Sequence, residues 1–129
     1  MTISGKKHKQ IAILTGGGDA PGLNAVIKGI VVNAKRLGYD VLGFRQGWKG
    51  LVEDIPHGTI DLDEIEDIHM SGGTILGSSR TNPYSIDDGE KKVIEHLKKN
   101  QCDYLVAIGG EDTLGVATKL YKAGIKVIG

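Results

Sequence analysis

The chain has few of the features expected of secreted, membrane-bound or nucleic-acid-binding proteins. Its one cysteine, Cys102, excludes an internal disulfide and fits a reducing cytosol. Lysine and arginine number 16 and so do aspartate and glutamate, so no net charge favours nucleic acid or anionic membrane. No apolar run is long enough to span a bilayer, and residues 1–10 lack the apolar stretch of a signal peptide. We therefore expect a cytoplasmic protein without nucleic-acid or membrane partners.

Aromatic residues are also scarce, whereas glycine is abundant, with 20 residues in a chain of 129. This balance is expected where loops must approach a ligand closely. The four histidines (His8, His57, His69 and His96) do not have the spacing of metal ligands. The length suits one domain with a sizeable core.

The most informative stretch runs from Tyr104 to Gly115. The apolar residues 104–108 predict a buried parallel strand, which ends at Gly109 and Gly110. A helix to residue 123 follows, and its first residues are Glu111, Asp112 and Thr113. Such a strand–glycine–helix turn directs backbone N–H groups at an anion, and Glu111 suggests Mg²⁺ held against phosphate. The structural alternative is that Asp112 and Thr113 only cap the helix.

A second glycine-rich loop lies near the N-terminus. It follows a predicted strand at residues 11–14 and precedes an apolar stripe that predicts a helix from Leu23 to Ala34, with a second strand at residues 41–44. The loop matches neither G-x-x-x-x-G-K-[ST] nor G-x-G-x-x-G. Within it, Asp19 is either a helix cap or a ligand contact.

A third loop, at residues 71–83, combines glycines, hydroxyl side chains and Arg80. Hydroxyls, free amides and a guanidinium suit phosphate, although an ordinary surface loop remains the alternative. A turn is predicted at residues 46–51, where Trp48 either packs in the core or walls a ligand pocket. The remaining predictions are a loop at 56–63, a short acidic helix at 61–67, a helix at 87–100 and a strand beginning at 126.

The alternation of strands and helices predicts an α/β domain: a three-layer αβα sandwich with a mostly parallel sheet. The three glycine-rich loops would meet at one edge of that sheet, because the carboxyl ends of parallel strands lie together. The residues therefore favour a polyanion-binding site.

Three motifs resemble those of the phosphofructokinase family. Residues 13–24 (ILTGGGDAPGLN) are similar to its opening motif, residues 72–80 (GGTILGSSR) to its second and residues 109–113 (GGEDT) to its third. Lipid kinases and NAD kinases carry a turn similar to the third motif but lack the GDAPGLN element. The resemblance covers nearly the whole chain and implies residues 1–129 of an N-terminal phosphoryl-donor-binding domain, incomplete at Gly129.

The resemblance implies phosphoryl transfer to the 1-hydroxyl of fructose 6-phosphate with Mg²⁺. It implies that Gly17 contacts the donor's phosphates, that Arg80 stabilises the transferring phosphoryl group and that Thr81 lies beside the donor. Residues 110–113 (Gly110, Glu111, Asp112 and Thr113) would line the donor site, with Glu111 as the metal ligand. Arg80 and Asp112 are the expected catalytic pair.

Two departures from the family's ATP-using members matter. Asp112 stands where ATP-using members usually have glycine, and members with aspartate at this position resemble the pyrophosphate-dependent type. A carboxylate there would clash with a nucleotide's α-phosphate. The chain also ends before the family's TIDND segment and its catalytic base. The leading hypothesis is thus a pyrophosphate-dependent enzyme, inactive as this piece alone and homo-oligomeric (dimer or tetramer) when complete. An ATP-dependent enzyme and a non-catalytic phosphate-binding fragment are the alternatives.

Overall fold

A computed structural model describes residues 9–16, 22–66 and 74–129. Within them, strands and helices alternate along most of the chain, as the sequence predicts. The strands are β1 (Gln10–Thr15), β2 (Asp40–Phe44), β3 (Pro56–Thr59), β4 (Tyr104–Ile108) and β5 (Val127–Ile128). The helices are α1 (Leu23–Arg36), α2 (Trp48–Glu53), α3 (Leu62–Ile65), α4 (Gly89–Lys99) and α5 (Glu111–Lys122), with a 3-10 turn at Pro83–Ser85.

The strands form one sheet in the order β3-β2-β1-β4-β5. β1 lies at its centre and pairs in parallel with β2 on one side and β4 on the other, and β4 pairs in parallel with β5. Among the described strands, only β3 runs antiparallel to its neighbour, β2. The predicted mostly parallel sheet is therefore confirmed, and its central strands carry their carboxyl ends to one edge.

Side chains alternate across the sheet and build an apolar core on each face. On one face, Ala12, Leu14, Leu105 and Ala107 pack with the buried sides of α2, α4 and α5. On the other face, Ile13 and Val41 pack with α1 and α3. Helices on both faces of one sheet make the predicted three-layer αβα sandwich. None of the helices in the described part is long and apolar enough to cross a bilayer.

The turn predicted at residues 46–51 is confirmed at residues 46 and 47 but is wrong from Trp48 onwards, where a short helix, α2, begins. Gly47 and Gly50 allow close packing as well as a change of chain direction. Gly47 has φ 60°, and a Cβ on it would lie 2.8 Å from the carbonyl oxygen of Thr15. A Cβ on Gly50 would lie 2.0 Å from the carbonyl oxygen of Arg45. The glycines therefore let α2 fold back tightly onto the ends of β1 and β2.

The predicted loop at residues 56–63 is also wrong in its first half. Pro56–Thr59 forms β3, which pairs antiparallel with β2 and closes one side of the sheet. Proline lacks an N–H group and is tolerated at an edge strand, where one side makes no ladder hydrogen bonds. The predicted acidic helix is confirmed only as a single turn, Leu62–Ile65, and position 67 lies outside the described residues.

Two further differences concern helix faces and ends. The helix predicted from residue 87 begins at Gly89, because Asp88 adopts a left-handed backbone with φ 57°. Val26 was expected on the buried stripe of α1 but is 45% exposed, whereas Ile27 and Val31 are fully buried. The stripe is therefore narrower than the apolar pattern indicates.

We predict opposite effects of adding a methyl group at two helical glycines. Gly50→Ala would force the Arg45 carbonyl to move and should lower the free energy of unfolding by about 2 kcal/mol or more. Gly29→Ala in α1 meets no atom within 4 Å and should raise it by up to about 1 kcal/mol. Urea denaturation of both variants tests this, and equal effects at the two positions would contradict the packing described for α2.

Candidate functional site

The candidate site begins where β1 and β4 end side by side. Thr15 and Ile108 are paired in register, and the Gly16 N–H donates to the Ile108 carbonyl at 2.8 Å. Both strands then give way to glycine, Gly16 after β1 and Gly109 after β4. Two of the predicted loops therefore leave the sheet from neighbouring points, at the position where α/β sheets bind ligands.

Thr113 explains why both of these positions are glycine. Its side chain is 3% exposed and packs over the ends of the two strands. A Cβ on Gly16 would lie 2.3 Å from Thr113 Oγ1, and one on Gly109 would lie 2.7 Å from the same atom. A Cβ on Gly109 would also meet the Gly16 carbonyl oxygen at 2.8 Å. The first turn of α5 can therefore sit directly above the strand ends only because neither glycine carries a side chain.

The loop after residue 73 is fastened to the same edge. The Thr15 hydroxyl donates to the Gly77 carbonyl at 2.7 Å and lies 3.0 Å from the Thr74 hydroxyl. The Gln46 N–H donates to the Leu76 carbonyl at 2.9 Å, and the Ser79 hydroxyl donates back to the Gln46 carbonyl at 2.7 Å. These bonds hold the segment that leads to Arg80 against the ends of β1 and β2.

On the α1 side, the same loop receives one more bond. Asn24, which is 2% exposed, accepts a hydrogen bond from the Ile75 N–H through Oδ1 at 2.7 Å. Buried amide side chains of this kind usually satisfy backbone groups that would otherwise be unpaired. Asn24 thus ties the opening motif to the second motif of the sequence.

These elements enclose a cavity of about 260 Å³ between the loop and α5. Its lining comprises Trp48, Ser79, Arg80, Thr81, Asn82, Asp112, Thr113 and Val116. Four of the residues predicted for the site therefore meet in one cavity, although they come from positions more than 30 residues apart: Arg80, Thr81, Asp112 and Thr113.

Arg80 and Asp112 give the cavity groups of opposite charge. Arg80 is exposed and makes no ion pair within the part of the chain that the structure describes. Asp112 and Glu111 occupy the first turn of α5, and both are exposed. The N-cap residue is Gly110, which has no side chain to bond the first turn, and Asp112 and Thr113 lie within the helix. Neither of them is therefore the N-cap, and the N–H groups of the first turn of α5 are of the kind that favours an anion.

The remaining predicted residues lie at the margin of the cavity or outside the described chain. Gly110 and Glu111 belong to the same turn as Asp112 but are not part of the lining. Gly17 and Asp19 fall outside the described residues, so their predicted roles stay predictions.

Trp48 fulfils both roles that the sequence left open. It is 2% exposed and belongs to the core, and it also walls the cavity. Its Nε1 is buried without a hydrogen-bond partner in the described structure. Sequence reasoning did not single out Ser79, Asn82 and Val116 as site residues. Ser79 and Asn82 flank Arg80 in the same loop, and Val116 lies one helical turn from Asp112, so helical spacing is the signal that would have found it.

The described residues contain no group of three or more His, Cys, Asp or Glu side chains that could hold a metal alone. The carboxylates at hand are Glu111 and Asp112, both at the start of α5. This is a small donor set, and it suits a cation that completes its coordination with water and phosphate oxygens, as Mg²⁺ does.

Comparison with known proteins shows which family the chain is similar to. The family model described as phosphofructokinase matches residues 10–129. The pyrophosphate–fructose 6-phosphate 1-phosphotransferase of Dictyoglomus thermophilum is 51% identical over 122 residues, which are 93% of this chain and 34% of that protein. The ATP-dependent 6-phosphofructokinase 3 of Streptomyces coelicolor is 45% identical over 121 residues, 93% of this chain and 35% of that protein.

Solved structures of phosphofructokinases share this fold. The phosphofructokinase of Pichia pastoris, solved in the T-state, superimposes with a TM-score of 0.87 at 28% identity, covering 100% of this chain and 14% of that one. The chain spans about a third of the length of the curated relatives it matches. With the family model covering almost all of its residues, the chain belongs to the phosphofructokinase family.

Proposed function

We propose that the chain is the phosphoryl-donor-binding part of an enzyme that transfers a phosphoryl group from pyrophosphate to the 1-hydroxyl of fructose 6-phosphate. The observation that carries the proposal is that Arg80 and Asp112 line one cavity at the carboxyl ends of β1 and β4. A cation and an anion facing one space suit a ligand that is itself a metal–polyphosphate complex. The product would be fructose 1,6-bisphosphate.

Arg80 is proposed to hold the transferring phosphoryl group. Its guanidinium is exposed and unpaired within the described residues, so binding an anion breaks no ion pair. A planar guanidinium donates two parallel hydrogen bonds to phosphoryl oxygens, and phosphoryl transfer is catalysed mainly by positioning and charge neutralisation. Thr81 and Ser79, on either side of it, add hydroxyl groups to the same wall.

Glu111 is the residue proposed to hold Mg²⁺, as expected from the family, and Asp112 adds a second carboxylate to the same turn. When bound, the ion would neutralise charge on the donor's phosphates. The N–H groups of the first turn of α5 would favour phosphate oxygens beside these carboxylates. The two carboxylates keep the turn from attracting phosphate without its cation, because they repel a bare anion.

Asp112 is proposed to set the choice of donor. Asp112 lines the cavity, whereas its neighbour Glu111 does not, which supports the proposal that its carboxylate meets the part of a donor that extends beyond the second phosphate. A pyrophosphate ends at its second phosphate, whereas a nucleotide brings a third phosphate towards Asp112. Three relatives at 50–51% identity are named for pyrophosphate, and an ATP-dependent one is 45% identical, which favours the same choice.

Other parts of the proposal concern groups beyond these residues. The catalytic base and the sugar-phosphate pocket are expected from the two thirds of the relatives' length that this chain does not cover. We also propose that the complete enzyme is cytoplasmic and forms a dimer or tetramer. The ATP-dependent reaction remains the second candidate, since ATP-dependent relatives match the same span of the chain.

Arg80→Ala in the complete enzyme should lower kcat roughly 10³-fold, which corresponds to about 4 kcal/mol of transition-state stabilisation. The loss should fall on kcat more than on KM, because the guanidinium acts on the phosphoryl group in transfer. Steady-state kinetics with both substrates varied tests this. Arg36→Ala, at the exposed end of α1, is the control and should leave kcat unchanged. Unchanged turnover in Arg80→Ala would remove Arg80 from the mechanism.

The 129-residue chain by itself should produce no detectable fructose 1,6-bisphosphate. General-base assistance contributes roughly 10²- to 10⁴-fold and substrate positioning more, and both are expected from residues beyond the chain. A coupled assay with Mg²⁺, fructose 6-phosphate and either donor tests this at high protein concentration. Clear turnover by the purified chain would show that it contains its own base and sugar site.

Asp112→Gly in the complete enzyme should raise the ratio of kcat/KM for ATP over pyrophosphate about 10-fold or more. Two unit charges about 5 Å apart repel by about 1 to 3 kcal/mol as the effective dielectric constant falls from 80 to 20, and the variant removes that repulsion. Activity with pyrophosphate should fall at the same time.

Asp112→Asn is the matched variant, because it keeps the size of the side chain and removes its charge. If charge decides, Asn should move the ratio in the same direction as Gly; if bulk decides, only Gly should move it. A wild-type enzyme that already prefers ATP, or a ratio that rises in neither variant, would contradict the role proposed for Asp112.

A further inference from the structure

The loop that carries Arg80 ends at a tyrosine, Tyr84, that contacts the loop itself and two helices. The N–H of Tyr84 donates to Oδ1 of Asn82, a cavity residue, at 2.9 Å. Its hydroxyl donates to Oε2 of Glu90 on α4 at 2.7 Å. The Nζ of Lys119, on α5, lies 4.9 Å from the centroid of the Tyr84 ring. Tyr84 is half-buried and packs against the larger core.

We propose that Tyr84 is a positioning residue for the donor cavity. It fixes the wall that carries Arg80 relative to α5, the helix that carries Asp112. Tyr84 is not among the residues that line the cavity, so it acts through Asn82 on one side and Lys119 on the other. The inference rests on the proposed function in one respect: the activity assay that tests it measures the proposed phosphoryl transfer.

The geometry of the loop shows why such a residue is needed. Residues 80 and 81 lie between two anchored points. Before them, the Ser79 hydroxyl holds the Gln46 carbonyl and receives a long bond of 3.4 Å from the Thr81 N–H. After them, the chain passes through Asn82 into the 3-10 turn of Tyr84. An exposed arginine on a short span of this kind takes its position from the two ends of the span.

The second anchor, the 3-10 turn at Pro83–Ser85, packs closely against the start of α4. Pro83 is buried, and a Cβ on Gly89 would lie 1.8 Å from its carbonyl oxygen, so the turn is pressed against the start of α4. Burial and the bond to Glu90 raise the pKa of Tyr84 to about 12. The hydroxyl therefore remains a hydrogen-bond donor across the pH range of ordinary assays.

Of the three contacts, only the ring reaches α5. The hydroxyl bond to Glu90 ties the turn to α4, which carries no cavity residue. The cation–π contact with Lys119 ties it to the helix whose first turns supply Asp112, Thr113 and Val116. Such contacts are weak alone but directional, because the ammonium must stay over the ring face. Removing the ring should therefore loosen the distance between the two charged groups of the cavity.

The test compares three variants in the complete enzyme, each checked for folding by thermal unfolding. Tyr84→Leu should lower kcat about 10- to 100-fold, as expected for a small misplacement of a catalytic group, with KM for fructose 6-phosphate nearly unchanged. Tyr84→Phe keeps the ring over Lys119 and should retain activity within about 3-fold of wild type. Tyr104→Leu is the matched control: Tyr104 is also half-buried beside a lysine, but lies at the opposite edge of the sheet and should not affect kcat.

A double-mutant cycle shows whether Tyr84 acts through Arg80. In the Arg80→Ala background, Tyr84→Leu should cost less than about 3-fold, because there is no guanidinium left to position. An equal loss in both backgrounds would overturn the proposal, and so would a loss of the same size in Tyr104→Leu.

The outcome is separable from that of the proposed reaction. The variants are assayed with whichever donor the wild type uses, so a preference for ATP would contradict the donor assignment and leave the comparison intact. The Kd of Mg²⁺–pyrophosphate, or of Mg²⁺–ATP if the wild type uses ATP, is measured by calorimetry and gives a second readout that needs no turnover. It should rise in Tyr84→Leu and stay near the wild-type value in Tyr84→Phe and Tyr104→Leu; unchanged affinity together with unchanged kcat in Tyr84→Leu would reject the inference.

Discussion

The arrangement of this domain depends on one close contact, that of Thr113 with the two glycines that end β1 and β4. Neither strand end has room for a methyl group, since a Cβ would fall within 2.3 to 2.7 Å of the threonine hydroxyl. The contact brings the start of α5 onto the sheet edge and so places Asp112 within reach of a ligand. The Arg80 loop is built around the same edge through Thr15. A larger residue at either glycine would separate the two halves of the cavity, even though neither glycine lines it.

The cavity and the helix start beside it combine groups that attract an anion with carboxylates that repel one. A helix start, and an arginine that makes no ion pair among the described residues, would by themselves attract any phosphate. Glu111 and Asp112 oppose that general attraction within the same turn. Under the proposed function, this combination would favour an anion that arrives with its cation over a bare one.

The sequence predicted the strands and helices that local apolar patterns specify. It did not predict those that depend on contacts with residues distant in the chain. The strands β1, β2 and β4 and the helices α1 and α5 follow from apolar periodicity, and the structure confirms them. The helix α2 and the strand β3 did not follow, because their signals were read as turn chemistry. Gly47 and Gly50 read as turn residues, but the contacts that explain them are with Thr15 and Arg45. Likewise, Pro56 reads as a breaker until its neighbour β2 is known.

The candidate site shows the same division. Arg80, Thr81, Asp112 and Thr113 were found through their motifs, and the structure brings them together. For Trp48 the sequence left two roles open, core packing and a cavity wall. Only the folded chain shows that the same side chain does both. Tyr84 gave no sequence signal, since its partners Glu90 and Lys119 lie on two helices whose relative position the pattern does not specify.

The two sides of the sheet differ in a way that bears on assembly. On one side, β3 ends the ladder with an antiparallel strand that begins at a proline. On the other, β5 is a two-residue strand, and Ile128 is 66% exposed while its neighbours Val106 and Ile108 are only half-buried. Among the described strands β5 pairs with β4 alone, so its outer side is a sheet edge with free backbone groups. The side of β5 therefore combines an open edge with apolar side chains, and this side is better suited than that of β3 to contact another segment or subunit.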